Sequence, residues 1–325
     1  MGCGSIGTRH IRNLIALKAH HVVACEVDSN RASHARQEFG IQVFFSLDDA
    51  LQSTPDGVLI CTPPALHLAV ICRAVQAGCH VFIEKPISNV SAGLEDCLSE
   101  AESRSLVTFV GYNWRFHPHF QRMKRLFEEE AIGNILCARV NCGQYLPDWH
   151  PREDYRRGYS ARKSLGGGIL LDSHELDYLT WFLGKPKVVL CATGKISDLQ
   201  IETEDTADIV LRFDQGIQAS VHLDYLQRPA GRSYEYFGSS GTILWSLGDG
   251  LSVYKAASGR WETISDPAGY DLNSTYVDEL RHFIGCVRDR EKPLIDGRRG
   301  KYVLDLVLAA KKSAEEQRAV ALQED

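Results

Sequence analysis

Apolar residues in the first third of the chain come in short bursts separated by stripes with a helical period. Ile11, Leu14 and Ile15 stand at i, i+3 and i+4, so Thr8 to Ala19 reads as a helix with one apolar face. Brief apolar runs follow at His21–Val27, Val43–Phe45, Gly57–Thr62, His80–Glu84 and Leu106–Asn113. Between them lie a helix opened by Ser29 as its cap, a short helix at Asp48–Gln52, and longer ones at Leu66–Ala77 and Ser91–Ser103. Strands alternating with helices at this spacing predict βαβ units and a parallel sheet covered on both faces.

After Asn113 the pattern changes. Pro118–Glu130 reads as a helix and Asn134–Tyr145 as a long strand. The polar, aromatic stretch Leu146–Lys163 is too long to be filler in a compact domain. Gly166-Gly167-Gly168 leads into a helix ending near Gly184. From Val188 to Ile264 strand follows strand, with turn signals at 214–216, 248–250 and 258–259, which predicts an antiparallel or mixed sheet. Helices at Thr275–Arg288 and Arg299–Gln317 close the chain. The expected fold is α/β: a Rossmann-type parallel sheet over residues 1–114, then an α+β domain with a large open, mostly antiparallel sheet over residues 115–325.

Composition narrows the function. The chain has 325 residues, 44% of them apolar and 24% charged, as in ordinary globular proteins. A net charge of −6 gives no electrostatic case for nucleic acid or an anionic membrane as partner. No apolar run reaches the roughly 18 residues that a membrane span needs. The ten cysteines include no C-x-x-C pair, and those in apparent strands (Cys25, Cys61, Cys191) read as small buried hydrophobes in a reducing, cytoplasmic setting.

Gly2-Cys3-Gly4-Ser5-Ile6-Gly7 is a Gly-x-Gly-x-x-Gly loop opening a helix. Such a loop lets the backbone approach a pyrophosphate, and the helix N-terminus offers N–H groups and partial positive charge. Glu26, 19 residues after Gly7, ends the next strand, where a carboxylate accepts hydrogen bonds from both ribose hydroxyls and repels a 2′-phosphate. This favours NAD; Asp28 is the next candidate, and Arg31 keeps NADP open. The loop beginning Thr62-Pro63-Pro64, with His67, follows one strand, and Glu84-Lys85-Pro86 ends the next. Open α/β sheets bind ligands beyond these strand ends. An ammonium at Lys85 can stabilise the alkoxide character that develops as hydride leaves a carbinol.

The loop, Thr-Pro-Pro-x-x-His, and Ala77 to Pro86 together resemble, in order and spacing, the glucose–fructose oxidoreductase / inositol dehydrogenase / MocA family. The resemblance continues through Gly111 to Pro118, Gly166 to Asp177 and Gly238 to Thr242. It implies a nicotinamide cofactor, a sugar, polyol or sugar-nucleotide substrate, and a lysine, aspartate and histidine at the reacting carbon. It also implies a cis Lys85–Pro86 bond. His174 corresponds to the family's acid/base histidine, and an unperturbed imidazole pKa near ~6.5 suits proton transfer at neutral pH.

Asp172 departs from the family pattern, which is Asp-x-x-x-His. Asp-x-His on a regular helix would put the side chains ~200° apart, on opposite faces. Either the helix begins at Asp172, with Asp172-x-x-Glu175 as a capping box, or Asp177, ~60° from His174, takes the carboxylate role. Trp149, His150, Arg152, Tyr155, Arg156 and Arg162 give the long loop the composition of a polar-ligand cleft, with aromatic faces for pyranose surfaces and arginines for carboxylate or phosphate. Its Pro-Asp-Trp-His-Pro loosely resembles relatives in bacterial cell-surface and nonulosonic sugar pathways. Arg115, Tyr225 and Arg228 are further substrate candidates. His117 and His119 lack a third ligand in the sequence, so no metal site is expected.

The sequence thus predicts an NAD-dependent dehydrogenase acting on a CH–OH group. An NAD-dependent glycoside hydrolase and a non-catalytic nucleotide or sugar sensor are the alternatives. One face of the open sheet should be covered by another subunit, giving a homodimer or homotetramer. The strand that should precede Gly2 is missing from the pattern. The expectation is that the true start lies upstream, or that the chain as written binds NAD poorly.

Overall fold

A computed structural model describes every residue except His20, Arg152, Ser173 and residues 323–325. The chain forms two compact units, Met1–Phe116 with Asp271–Leu304, and His117–Tyr270 with Asp305–Asp325. The boundary falls two residues beyond the predicted one. The sequence division is corrected at one place: residues 271–304 return to the N-terminal unit.

The N-terminal unit runs α1 (Ser5–Ala16), β1 (Ala24–Cys25), α2 (Ser29–Phe39), β2 (Val43–Phe44), α3 (Leu47–Leu51), β3 (Gly57–Ile60), α4 (His67–Gln76), β4 (His80–Glu84), α5 (Leu94–Ser103) and β5 (Thr108–Gly111). Asp28 caps α2 by accepting from the N–H groups of Asn30 and Arg31, and Gly40 ends it in the left-handed region. The parallel strands lie in two pieces, β1–β2 and β3–β4–β5. Met1 and Gly2 bridge them. The Met1 amino group donates to Leu59 O, Cys61 N–H donates to Met1 O, and Gly2 N–H donates to Cys25 O. Cys72 on α4 and Cys97 on α5 form a disulfide, a pairing that their sequence separation of 25 does not announce.

The second unit contains α6 (Pro118–Glu128), β6 (Ile135–Gly143), α7 (Ile169–Asp172), α8 (Glu175–Leu183), β7 (Val188–Gly194), β8 (Thr206–Arg212), β9 (Gln218–Asp224), β10 (Gly231–Gly238), β11 (Gly241–Ser246), β12 (Gly250–Lys255) and β13 (Arg260–Ile264). Helix α9 (Asn273–Asp289) belongs to the first unit, α10 (Gly297–Glu316) follows, and β14 (Val320–Ala321) joins the sheet edge. The nine strands run β13-β12-β11-β10-β6-β9-β8-β7-β14 and are antiparallel except for β6–β9. Alternation sends Val189, Ile209, Val221, Tyr234 and Trp245 to one face. Phe120 of α6 meets Tyr178 of α8, Tyr234 and Trp245 there, with ring centroids 5.1–5.2 Å apart. On the opposite face, Leu190 and Val210 are cross-strand neighbours and both are exposed. No helix among the described residues is long and apolar enough to cross a membrane.

Candidate active site

In the N-terminal unit the Gly-rich loop packs backbone against backbone. A Cβ on Gly7 would lie 2.0 Å from Gly2 O, and one on Gly2 would lie 2.7 Å from Cys61 O, so neither position admits a side chain. Above Gly4, the N-cap of α1, nothing lies within 4 Å of a built Cβ. Gly4, Ser5 and Ile6 therefore open the helix onto clear space, as backbone approach to a pyrophosphate requires. Beside them, Thr62 Oγ1 is buried without a hydrogen-bond partner among the described residues. Clear space over the helix start and an orphaned hydroxyl fit a dinucleotide.

Glu26 is buried, and its carboxylate accepts from Cys3 N–H (2.7 Å), Asp28 N–H (2.9 Å) and the exposed Arg31 guanidinium (3.3 Å). The arginine is the one side-chain donor of the three, the other two being backbone N–H groups. His67 is a brace: its ring lies between Pro86 O (2.9 Å) and Thr62 O (2.7 Å), and its single N–H donates to one of them. Burial pushes its pKa below the ordinary value. Glu84 turns inward to His10. Lys85 is half-buried at the end of β4, and the Lys85–Pro86 bond is cis. Arg115 is buried and donates to Leu294 O at 3.3 Å, an internal tie of this unit.

In the second unit, Asp172 ends α7 and α8 begins at Glu175. The regular-helix geometry behind the sequence argument assumed one continuous helix, whereas α7 and α8 are separate elements. The capping box is not formed either. Glu175 accepts from His174 N–H at 2.9 Å, not from Asp172. Glu175 is itself held in the core by Arg232 Nε at 2.9 Å, so a buried ion pair anchors the His174 backbone. His174 Nδ1 lies 3.0 Å from the Tyr178 hydroxyl.

Asp172 is buried and accepts from two phenols, Tyr159 and Tyr225, the latter at 2.5 Å. Burial first, then the Asp172 charge, pushes the Tyr225 phenol well above its ordinary pKa, so it stays a donor. Trp149 packs edge-on against Tyr225 with centroids 5.4 Å apart and donates to Gln144 O. Asp177 is fully buried on α8. His150 is exposed, Arg162 is exposed and donates to Arg156 O, and Arg228 stacks on Tyr145. Arg152 lies outside the described residues. Sequence reading missed Tyr159, Tyr178 and Arg232; the four-residue spacing of His174 and Tyr178 was the one available signal.

His117 and His119 do gain a neighbour, Asp266, all three offering ligand atoms within 4.8 Å of one another. However, His117 Nδ1 accepts from His119 N–H, and His119 Nδ1 accepts from Trp245 Nε1. Both Nδ1 atoms are thus already engaged as acceptors, and His119 Nε2 faces Asp266 at 3.3 Å.

Two family models match this chain. "Oxidoreductase family, NAD-binding Rossmann fold" covers residues 1–112, and "GFO/IDH/MocA C-terminal domain" covers residues 120–244. The chain belongs to the Gfo/Idh/MocA oxidoreductase family. As a Gfo/Idh/MocA protein it is 29% identical to myo-inositol 2-dehydrogenase of Thermotoga maritima, over 100% of this chain and 98% of that one. It is 30% identical to levoglucosan dehydrogenase of Pseudarthrobacter phenanthrenivorans, over 71% of this chain and 66% of that one. The WlbA dehydrogenase of Bordetella pertussis, solved with NADH and UDP-GlcNAcA, superposes with a TM-score of 0.84 at 25% identity, covering 100% of this chain and 98% of that one. This Gfo/Idh/MocA chain is an NAD-binding, NAD(P)-dependent dehydrogenase of CH–OH groups.

Proposed function

We propose that the chain oxidises a secondary hydroxyl of a sugar, polyol or sugar nucleotide, with Lys85, His174 and Asp172 as the residues that act on it. The observation that carries this reading is Asp172, a buried carboxylate gripped by two phenols beside the helix break that presents His174. The two phenols hold the Asp172 carboxylate in place from two separate segments. In the tautomer where His174 Nδ1–H donates to Tyr178, Nε2 carries the lone pair and takes the substrate's hydroxyl proton. The Lys85 ammonium stabilises the developing alkoxide. When bound, the nicotinamide ring supplies the hydride acceptor. The Gly2–Gly7 loop holds its pyrophosphate and Glu26 the adenosine ribose.

Trp149, His150, Arg162 and Tyr225 belong to the substrate side of this proposal; Arg115 and Asp177, both buried, support it from within their units. We also propose that the face bearing Leu190 and Val210 is covered by a second copy of the chain; a monomer in light scattering would count against that. The activity test is an NADH absorbance screen across polyols, free sugars and nucleoside-diphosphate sugars. Lys85→Ala should lower kcat by roughly 10²-fold or more and leave NAD affinity nearly unchanged. Equal losses in both would refute its role. His174→Asn with an unchanged rate and pH profile would end the proton-transfer role.

A further inference from the structure

In the N-terminal unit, three ionisable side chains from three elements meet in the interior behind Lys85. His10 lies on α1, Glu84 ends β4, and Glu279 sits on α9. Their exposures are 1%, 9% and 0%, and their polar atoms lie within 4.8 Å of one another. His10 Nε2 stands 2.5 Å from Glu84 Oε1. The other Glu84 oxygen accepts from Lys85 N–H at 3.3 Å. Neither oxygen of Glu279 has a hydrogen-bond partner among the described residues.

Two charge states are open to Glu279. An ionised carboxylate, fully buried and without donors, pays an effective penalty of several kcal/mol, and the Glu84 charge adds to it. A neutral acid avoids most of that penalty and brings its own O–H to a neighbouring acceptor. Burial first, and then Glu84, push the Glu279 carboxyl well above the usual carboxylate range. A further titratable neighbour, the Cys61 thiol, is pushed up to about 12, chiefly by burial, and stays neutral; Tyr276 of α9 faces His10 with ring centroids 6.1 Å apart. A metal ion fits the cluster less well. Two ligands of one ion with bonds near ~2.1 Å sit more than ~3 Å apart in a tetrahedral site, whereas 2.5 Å is a hydrogen-bond distance.

We propose that Glu279 is a neutral carboxylic acid in the folded protein, sharing its proton with Glu84, and that it thereby acts as a positioning residue for the Glu84–Lys85 peptide. The positioning half rests on the reading that Lys85 acts on the substrate; the shared proton does not.

The test compares the parent chain with Glu279→Gln, whose carboxamide can still donate to Glu84. Infrared spectra at neutral pH, without substrate or cofactor, should show a protonated-carboxylic-acid carbonyl band in the parent that is absent from the variant. Isotope-labelled glutamate should shift that band in the parent, which keeps the test open if the variant folds poorly. No such band would overturn the proposal. Melting gives a second readout. A raised folded pKa contributes stability below the unfolded value of about 4.5, and that stability is lost as pH rises. The variant should therefore gain on the parent in melting temperature as pH climbs from about 4.5 to neutrality. A gap that does not change with pH would contradict a titrating Glu279. For positioning, the alkaline limb of kcat/KM should move to higher pH in Glu279→Gln. An unmoved limb with the band present would overturn the positioning role. The first two measurements need no turnover, so failure of the dehydrogenase reading would leave them standing.

Discussion

The Tyr225 hydroxyl donates to Asp172 at 2.5 Å, across 53 residues of sequence, and it does so from the end of the sheet's central parallel pair. Together with Tyr159 it sets the environment of the buried carboxylate that ends α7. Tyr225→Phe removes one donor without changing shape. A hydrogen bond to a charged group is worth about 1.5–3 kcal/mol, so kcat/KM should fall by roughly ten- to a hundredfold. Steady-state kinetics on the best substrate would check this, with NAD affinity expected to hold.

Gly167 lets the Tyr159 backbone pass close by. A Cβ there would lie 2.1 Å from Tyr159 O and 2.6 Å from Ser160 O. Gly167→Ala must push that segment away and draw the Tyr159 hydroxyl off Asp172. Overpacking of this kind costs about 1–3 kcal/mol. Calorimetry should show a lower melting temperature, and kcat/KM should drop along with it. A variant that melts normally and turns over normally would show that the segment yields without moving Tyr159.

In the proposed cofactor site, Glu26 is expected to set cofactor choice through its charge. With its carboxylate gone, one of the two acids at this strand end (the other is Asp28) no longer repels a 2′-phosphate, and the Arg31 guanidinium, now paired to it at 3.3 Å, is released to bind one. Glu26→Ala should weaken NAD binding by about tenfold or more and shift the NADP/NAD affinity ratio at least as far in the other direction. Fluorescence titration with both cofactors measures it.

His117 makes the second unit acid-sensitive. Burial, and then the nearby His119, lower its pKa to about 4 from an ordinary 6.5. The unfolded chain thus takes up a proton below pH 6.5 that the folded chain refuses until about 4. Stability from this group is complete above pH 6.5 and is lost as pH falls toward 4. His117→Asn keeps a good N-cap for α6 and removes the titration. Its melting temperature should fall less steeply than the parent's between those limits.

Much of this was legible in the residues because local signals and tertiary demands agree. β4 runs His80–Glu84 as its apolar run predicts, and Gly2 and Gly7 of the first loop sit where backbone meets backbone. What stayed hidden depends on partners far away in sequence. Tyr159 and Tyr225 approach Asp172 from two other segments, and no spacing rule links them. The contacts of His67 with the Pro86 and Thr62 carbonyls were not readable from its place after the Pro-Pro turn. The return of α9 to the N-terminal unit was equally invisible, because helical periodicity shows which side of a helix is buried but not against what.

The interruption between α7 and α8 has a further consequence. A continuous helix locks angular position to residue count, so adding or deleting a residue swings everything downstream by ~100°. Here α8 starts afresh, with Glu175 fixed to Arg232 and holding the His174 N–H. The orientation of His174 is thus set from its own C-terminal side.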